Sequence, residues 1–222
     1  MIAASGLRWV LSLMFAVPVL YGLWRLVLPG TGAADRVDHA LHAAMGLLMI
    51  AMAWPWGADL PAGPQVVLFS GGAVWFVVVA PLRAKGDSRG RAVLGALPHV
   101  VMMAAMAWMV SAMDSAGTVA GGTGAGGMHD MPGMDMAGET GLAAMSLSGT
   151  VPVVTAVVLA VVLGVFGLAW LSRALDRARG RQGDGRPREG GPVVDAGPLD
   201  VLAPACHAAM ALGMAVMFAV LA

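Results

Sequence analysis

Six apolar runs, each close to twenty residues long, recur along this chain of 222 residues and dominate what it can fold into. A run of that length crosses a ~30 Å hydrocarbon layer as a helix. In lipid each segment must satisfy its own backbone N–H and C=O groups, so such runs are expected to be helices. Only 12% of the residues are charged, about half of what a soluble domain carries. The runs fall at roughly 8–28, 38–56, 65–82, 92–113, 150–172 and 199–221. They predict an all-α integral membrane protein with one membrane domain over 1–222. The first run could instead be a signal peptide cleaved near "GTGAA" (30–34), but its length and its end in "LWRLVLPG" favour an uncleaved span.

Basic residues orient the spans. Arg83, Lys85, Arg89 and Arg91 lie between spans three and four, and Arg173, Arg177, Arg179, Arg181, Arg186 and Arg188 follow span five. Arg25 and Arg36 flank the loop between spans one and two. The loops after spans two and four carry Asp59, Asp114, Asp130, Asp135 and Glu139 but no Lys or Arg. Both termini are therefore expected outside a plasma membrane, with the basic loops cytoplasmic and Arg8 the one dissenting charge. Residues 114–149 read as a flexible outer loop rich in Met, His and Asp, and 173–198 as a flexible basic loop that enforces topology and touches anionic lipid.

The spans are not independent of one another. Span two reads "HAAMGLLMIAM", span four "HVVMMAAMAWM" and span six "HAAMALGMAVM". All three obey one template, H-x2-M-x3-M-x2-M. It selects His42, Met45, Met49 and Met52; then His99, Met102, Met106 and Met109; then His207, Met210, Met214 and Met217. Nine of the 18 methionines and three of the five histidines fall on it, while spans three and five hold no methionine. Lipid-facing filler would not respect helix parity in this way.

At 100° per residue the four template positions project within an arc of about 80°. Each stripe then runs about 15 Å along its helix. Spans two, four and six all run from inside to outside, so their stripes can face one axis in register. The expectation is three helical hairpins in a pseudo-threefold arrangement, with helices 2, 4 and 6 central. A histidine layer would lie toward the cytoplasm, with three methionine layers above it.

Thioether is a soft, neutral donor that selects Cu(I), and imidazole also binds copper well. Silver(I) offers the same softness and would serve as a surrogate. Zinc prefers thiolate, imidazole and carboxylate, and calcium or magnesium wants oxygen. Layers of modest affinity suit conduction, which needs sites an ion can both enter and leave. The outer segment "MHDMPGMDM" gathers Met128, His129, Asp130, Met131, Met134, Asp135 and Met136 within nine residues. It reads as a metal-capture segment or as a low-complexity linker, and Met113 extends the span-four stripe toward it.

At the inner end, Asp38 is either a helix cap or, four residues before His42 on the same face, a member of an inner metal site. His39 is either a ligand of an inner cluster or a solvated residue at the helix start. Cys206 is a small buried residue or a Cu(I) thiolate. Trp54, Trp56 and Trp108 sit where tryptophan commonly anchors a span at the interface.

On the motifs Met45/Met49, Met102/Met106 and Met210/Met214, the chain resembles the Ctr-type copper transporters, whose pore-lining helix carries M-x3-M below a Met-rich outer segment. The resemblance implies copper import and a Met-lined path. It covers only these motifs and the layout, and differs in placing three motifs in one polypeptide with a histidine below each. The Ala/Gly/Arg-rich style and the segment "DHALHAAM" (38–45) also resemble an uncharacterised actinobacterial family of polytopic membrane proteins, a likeness that implies no activity.

The function expected is Cu(I) handling in the membrane, as a transporter with import favoured. The alternatives are a non-transporting copper chaperone or sensor for cuproenzyme assembly, or a b-type haem protein using two of the histidines. Expected partners are the lipid bilayer, the metal ion, and a copper chaperone or cuproenzyme. Zero formal net charge gives no footprint for nucleic acid. No G-x4-G-K-[ST] motif and no nucleophile–base set stands out, so no enzyme is expected.

Overall fold

The computed structural model describes residues 2–54, 56–57, 60–83, 89–122, 150–183 and 199–222. The described residues form six helices: α1 (Ile2–Val27), α2 (Ala33–Ala53), α3 (Ala62–Arg83), α4 (Arg89–Gly122), α5 (Thr150–Gly183) and α6 (Leu199–Leu221). α1 packs most extensively on α2, α3 on α4 and α5 on α6. Further contacts join α1 to α6, α4 to α5 and α2 to α3.

The turn from α1 to α2 shows how local chemistry sets one pairing. Gly30 takes φ of 93°, a conformation that L side chains rarely adopt. The Thr31 hydroxyl lies 3.2 Å from the Arg25 carbonyl and 3.0 Å from that of Leu28, and so caps the end of α1. Arg36 N–H then donates to the Gly32 carbonyl at 3.0 Å, closing the first turn of α2. Asp35 lies in that turn, where the positive end of the helix dipole favours a carboxylate.

Five of the six helices are long and apolar enough to cross a membrane. α2 is the sixth, and the difference from the six expected spans has a simple cause. Its first three turns carry Asp35, Arg36, Asp38, His39 and His42, which offset the apolar residues that follow. Two other helices outrun the runs seen in sequence. α4 continues to Gly122 and α5 to Gly183, because apolarity decides where a span ends but not where a helix does. The extension of α5 is rich in Arg and Ala, which are good helix formers.

The apolar surface is unevenly shared. α5 exposes Val151, Val154, Val157, Val158, Val161, Val165 and Leu168, and α3 exposes Val67, Val74, Val77, Val78 and Leu82. α2 exposes only Val37 and Leu47 among its large hydrophobics. Patches of this extent would drive aggregation in water and are the normal condition against lipid chains.

Inside, one contiguous cluster contains Met45, Met49, Met102, Met106, Met109, Met210, Met214 and Met217, with Met52 and Met113 packed against it. Glycine lets α1 approach closely. A Cβ on Gly46 would lie 2.6 Å from Val19 Cγ2, and one on Gly213 would collide with the Phe15 ring. Small residues at such crossings are the usual means of tight packing between membrane helices.

Candidate metal centre

His42, His99 and His207, from α2, α4 and α6, meet at the end of this cluster nearer the N-termini of those helices. Their ring centroids are 5.1 Å (His42–His99), 5.0 Å (His42–His207) and 4.8 Å (His99–His207) apart. One ring nitrogen of each lies within 4.8 Å of those of the other two. Among the described residues this is the one group of three or more His, Cys, Asp or Glu placed to hold a metal ion.

The hydrogen bonding assigns the donors. His42 Nδ1 is 2.7 Å from the Asp38 main-chain carbonyl, so Nδ1 carries the proton and Nε2 the lone pair. His99 and His207 each lie near a main-chain carbonyl four residues earlier, on Gly95 and Ala203. Metal-ligating histidines characteristically donate their second N–H in this way, which fixes tautomer and ring plane. His42 is 7% exposed, and its Nε2 is buried with no hydrogen-bond partner. A lone pair held dry in this way is costly unless something occupies it. Drawing the three nitrogens inward by up to about 0.8 Å would give trigonal bonds of ~2.0 Å.

Two aromatic side chains enclose the imidazoles. Phe76 of α3 stacks on His99 at 5.2 Å and 29° and meets His42 edge-on at 5.5 Å. Trp170 of α5 lies 5.3 Å from His99 and 5.2 Å from His207. Beside them lies a vestibule of about 520 Å³ lined by Arg25, Asp35, Asp38, His39, Arg83 and the three histidines, among others. The imidazoles therefore stand between a dry thioether cluster and a charged vestibule.

The neighbours proposed as an inner ligand set have other engagements. The Asp38 carboxylate accepts from Trp75 Nε1 at 2.8 Å and from Arg83 Nη1 at 2.6 Å, tying α2 to α3. Asp35 is a second, longer partner of Arg83 at 3.5 Å. His39 Nε2 accepts from Arg25 Nε at 3.4 Å, and its ring packs edge-on to Tyr21. Cys206 is buried beside His207 but does not join the group of ring nitrogens.

All nine template methionines lie in or against the buried cluster, and so do the off-template Met103, which also packs on Gly72 of α3, Met14 and Met113. Trp108 stacks on Phe218 at 6.0 Å and Trp54 donates to Ser12 Oγ at 3.1 Å, so both join helices rather than only marking an interface. Met128, His129, Asp130, Met131, Met134, Asp135 and Met136 lie outside the described residues.

Phe76 and Trp170 escaped the sequence reading because they sit on the methionine-free helices. A single aromatic in an apolar span carries no periodic signal. Gln65 escaped for the same reason. It is buried on α3 with Nε2 donating to the Pro61 carbonyl at 3.2 Å and Oε1 unpartnered.

Fold and site together define a multi-pass helical membrane protein with a three-histidine cluster beside a charged vestibule. The chain belongs to the family described as "Domain of unknown function (DUF5134)", whose profile matches residues 34–221. That agrees with the uncharacterised family expected from sequence. It is similar to "Uncharacterized protein Mb0995" of Mycobacterium bovis and to "Uncharacterized protein Rv0970" of Mycobacterium tuberculosis. Each is 36% identical over 108 residues, covering 49% of this chain and 50% of the relative. The chain thus spans about half the length of these curated relatives. No solved structure matches it.

Proposed function

We propose that this protein handles Cu(I) in the plasma membrane, and that it carries the ion along a column formed by α2, α4 and α6. The observation that carries the reading is the meeting of His42, His99 and His207 beside one buried cluster of template methionines. Three copies of one sequence template, far apart in the chain, supply eight of its nine buried methionines. Thioether and imidazole together are a donor set for a soft monovalent ion, with Ag(I) as its surrogate. The motif likeness to Ctr-type transporters points the same way.

In this reading the six helices are three helical hairpins about a pseudo-threefold axis, with α2, α4 and α6 inside. The packing of α1 on α2, α3 on α4 and α5 on α6 supports that order. So does the concentration of exposed valines on α3 and α5. Both termini lie outside and the basic loops are cytoplasmic. Cu(I) captured by the outer Met/His segment passes from thioether to thioether and reaches the imidazoles. It leaves through the vestibule to a copper chaperone or cuproenzyme. A haem is disfavoured, because three imidazole rings about 5 Å apart leave no room for a porphyrin between any two.

The test is Cu(I) or Ag(I) uptake into liposomes holding the purified protein, against the triple variant Met49→Leu, Met106→Leu, Met214→Leu. These swaps nearly conserve volume and leave the packing in place. Transport predicts protein-dependent uptake that the triple variant loses. Tight binding without uptake would favour the chaperone or sensor role. Equal uptake by both proteins would contradict the methionine path.

A further inference from the structure

Resting on the Cu(I) reading above, the geometry points to a second role for the helices that carry no methionine. We propose that Phe76 and Trp170 are specificity-determining residues that hold the three-histidine site to a trigonal ion and refuse tetragonal Cu(II). Both rings are largely buried, 7% and 8% exposed. Each spans one pair of histidines: Phe76 covers His42 and His99, and Trp170 covers His99 and His207. α1 packs on both α2 and α6. A Cβ added at Gly22 would lie 3.3 Å from Ala43 Cβ, and one at Gly46 2.6 Å from Val19 Cγ2. Two of the three lateral approaches to the imidazoles are therefore filled by aromatic carbon. The two axial approaches face the thioether cluster and the vestibule.

Cu(II) and Ni(II) favour square-planar or tetragonal sets, which need a fourth donor in the plane of the first three. Placing one between His42 and His99, or between His99 and His207, requires pushing an aromatic ring out of contact. Three-coordinate Cu(I) or Ag(I) needs no such donor. Specificity of this kind comes from what the site refuses as much as from what it holds. Neither ring donates a ligand atom, so both act through the space they deny.

The experiment offers Cu(II) to the purified full-length protein in detergent and records electron paramagnetic resonance, with Ag(I) binding measured in parallel. Only signal removed by His99→Ala is counted, which excludes Cu(II) held elsewhere on the chain. Wild type is expected to bind Ag(I) and to show little His99-dependent Cu(II) signal. Phe76→Ala and Trp170→Ala should raise that signal roughly tenfold or more while Ag(I) is still bound. The conservative Trp170→Phe should keep the exclusion, which a merely structural role would not require. A wild-type protein that takes Cu(II) tetragonally at His99 would overturn the inference whether or not the alanine variants fold. So would unchanged Cu(II) exclusion in folded alanine variants. Absence of Ag(I) binding in wild type would instead overturn the copper reading, and this inference with it.

Discussion

Replacing Asp38 separates two jobs that one residue performs. Its main-chain carbonyl orients His42, while its carboxylate clamps α2 to α3 through Trp75 and Arg83. A charge-assisted hydrogen bond is worth ~1.5–3 kcal/mol when shielded. Here Arg83 is 39% and Asp38 21% exposed, and solvent screening reduces that contribution to about 1 kcal/mol. The indole bond adds about 1 kcal/mol. Asp38→Ala should therefore destabilise the fold by about 2 kcal/mol. Asp38→Asn, which keeps an acceptor for Trp75, should cost about 1 kcal/mol. For a chain of this length each 1 kcal/mol lowers the melting temperature by roughly 2–4 °C. Thermal melts in detergent should thus fall by about 4–8 °C for Asp38→Ala and about 2–4 °C for Asp38→Asn. With Arg83→Gln the double mutant should lose about 1 kcal/mol less than the sum of the singles. Silver binding should survive Asp38→Asn, because the carbonyl that holds His42 is untouched. Loss of silver binding at an unchanged melting temperature would refute the clamp and make the carboxylate a ligand.

The close packing of α1 predicts a contrast between two glycines. Gly46→Ala places a methyl 2.6 Å from Val19 Cγ2, and the overpacking should cost about 1–3 kcal/mol. Gly71→Ala meets nothing within 4 Å and should be neutral, or stabilising by up to ~1 kcal/mol through helix propensity. Paired melts check both, and equal effects would contradict the crossing of α1 over α2.

Much of the inner architecture was legible because a helical stripe is an angular pattern. The spacing 0, 3, 7, 10 puts His42, Met45, Met49 and Met52 on one side of α2 whatever that helix packs against. Repetition at His99 and His207 singled out residues that are neighbours in space. What could not be read depends on partners. Whether Asp38 caps a helix, ligates or clamps is decided by Trp75 and Arg83, 37 and 45 residues away. His39 lies three residues before His42, yet α1 draws it to Arg25 and Tyr21. The polar opening of α2 was visible in sequence, but its effect on that helix as a span became clear only beside its five more apolar companions. Phe76 and Trp170 owe their position to the pairing of α3 with α4 and α5 with α6, and no local pattern announces that.

The most direct test of the central claim is X-ray absorption at the copper edge of the purified protein loaded anaerobically with Cu(I). If imidazoles and thioethers of α2, α4 and α6 form one column, the first shell will contain both nitrogen and sulfur. Leucine at Met49, Met106 and Met214 will then remove sulfur, and alanine at His42, His99 and His207 will remove nitrogen. A shell unchanged by both sets of substitutions would mean that the three stripes do not bind copper.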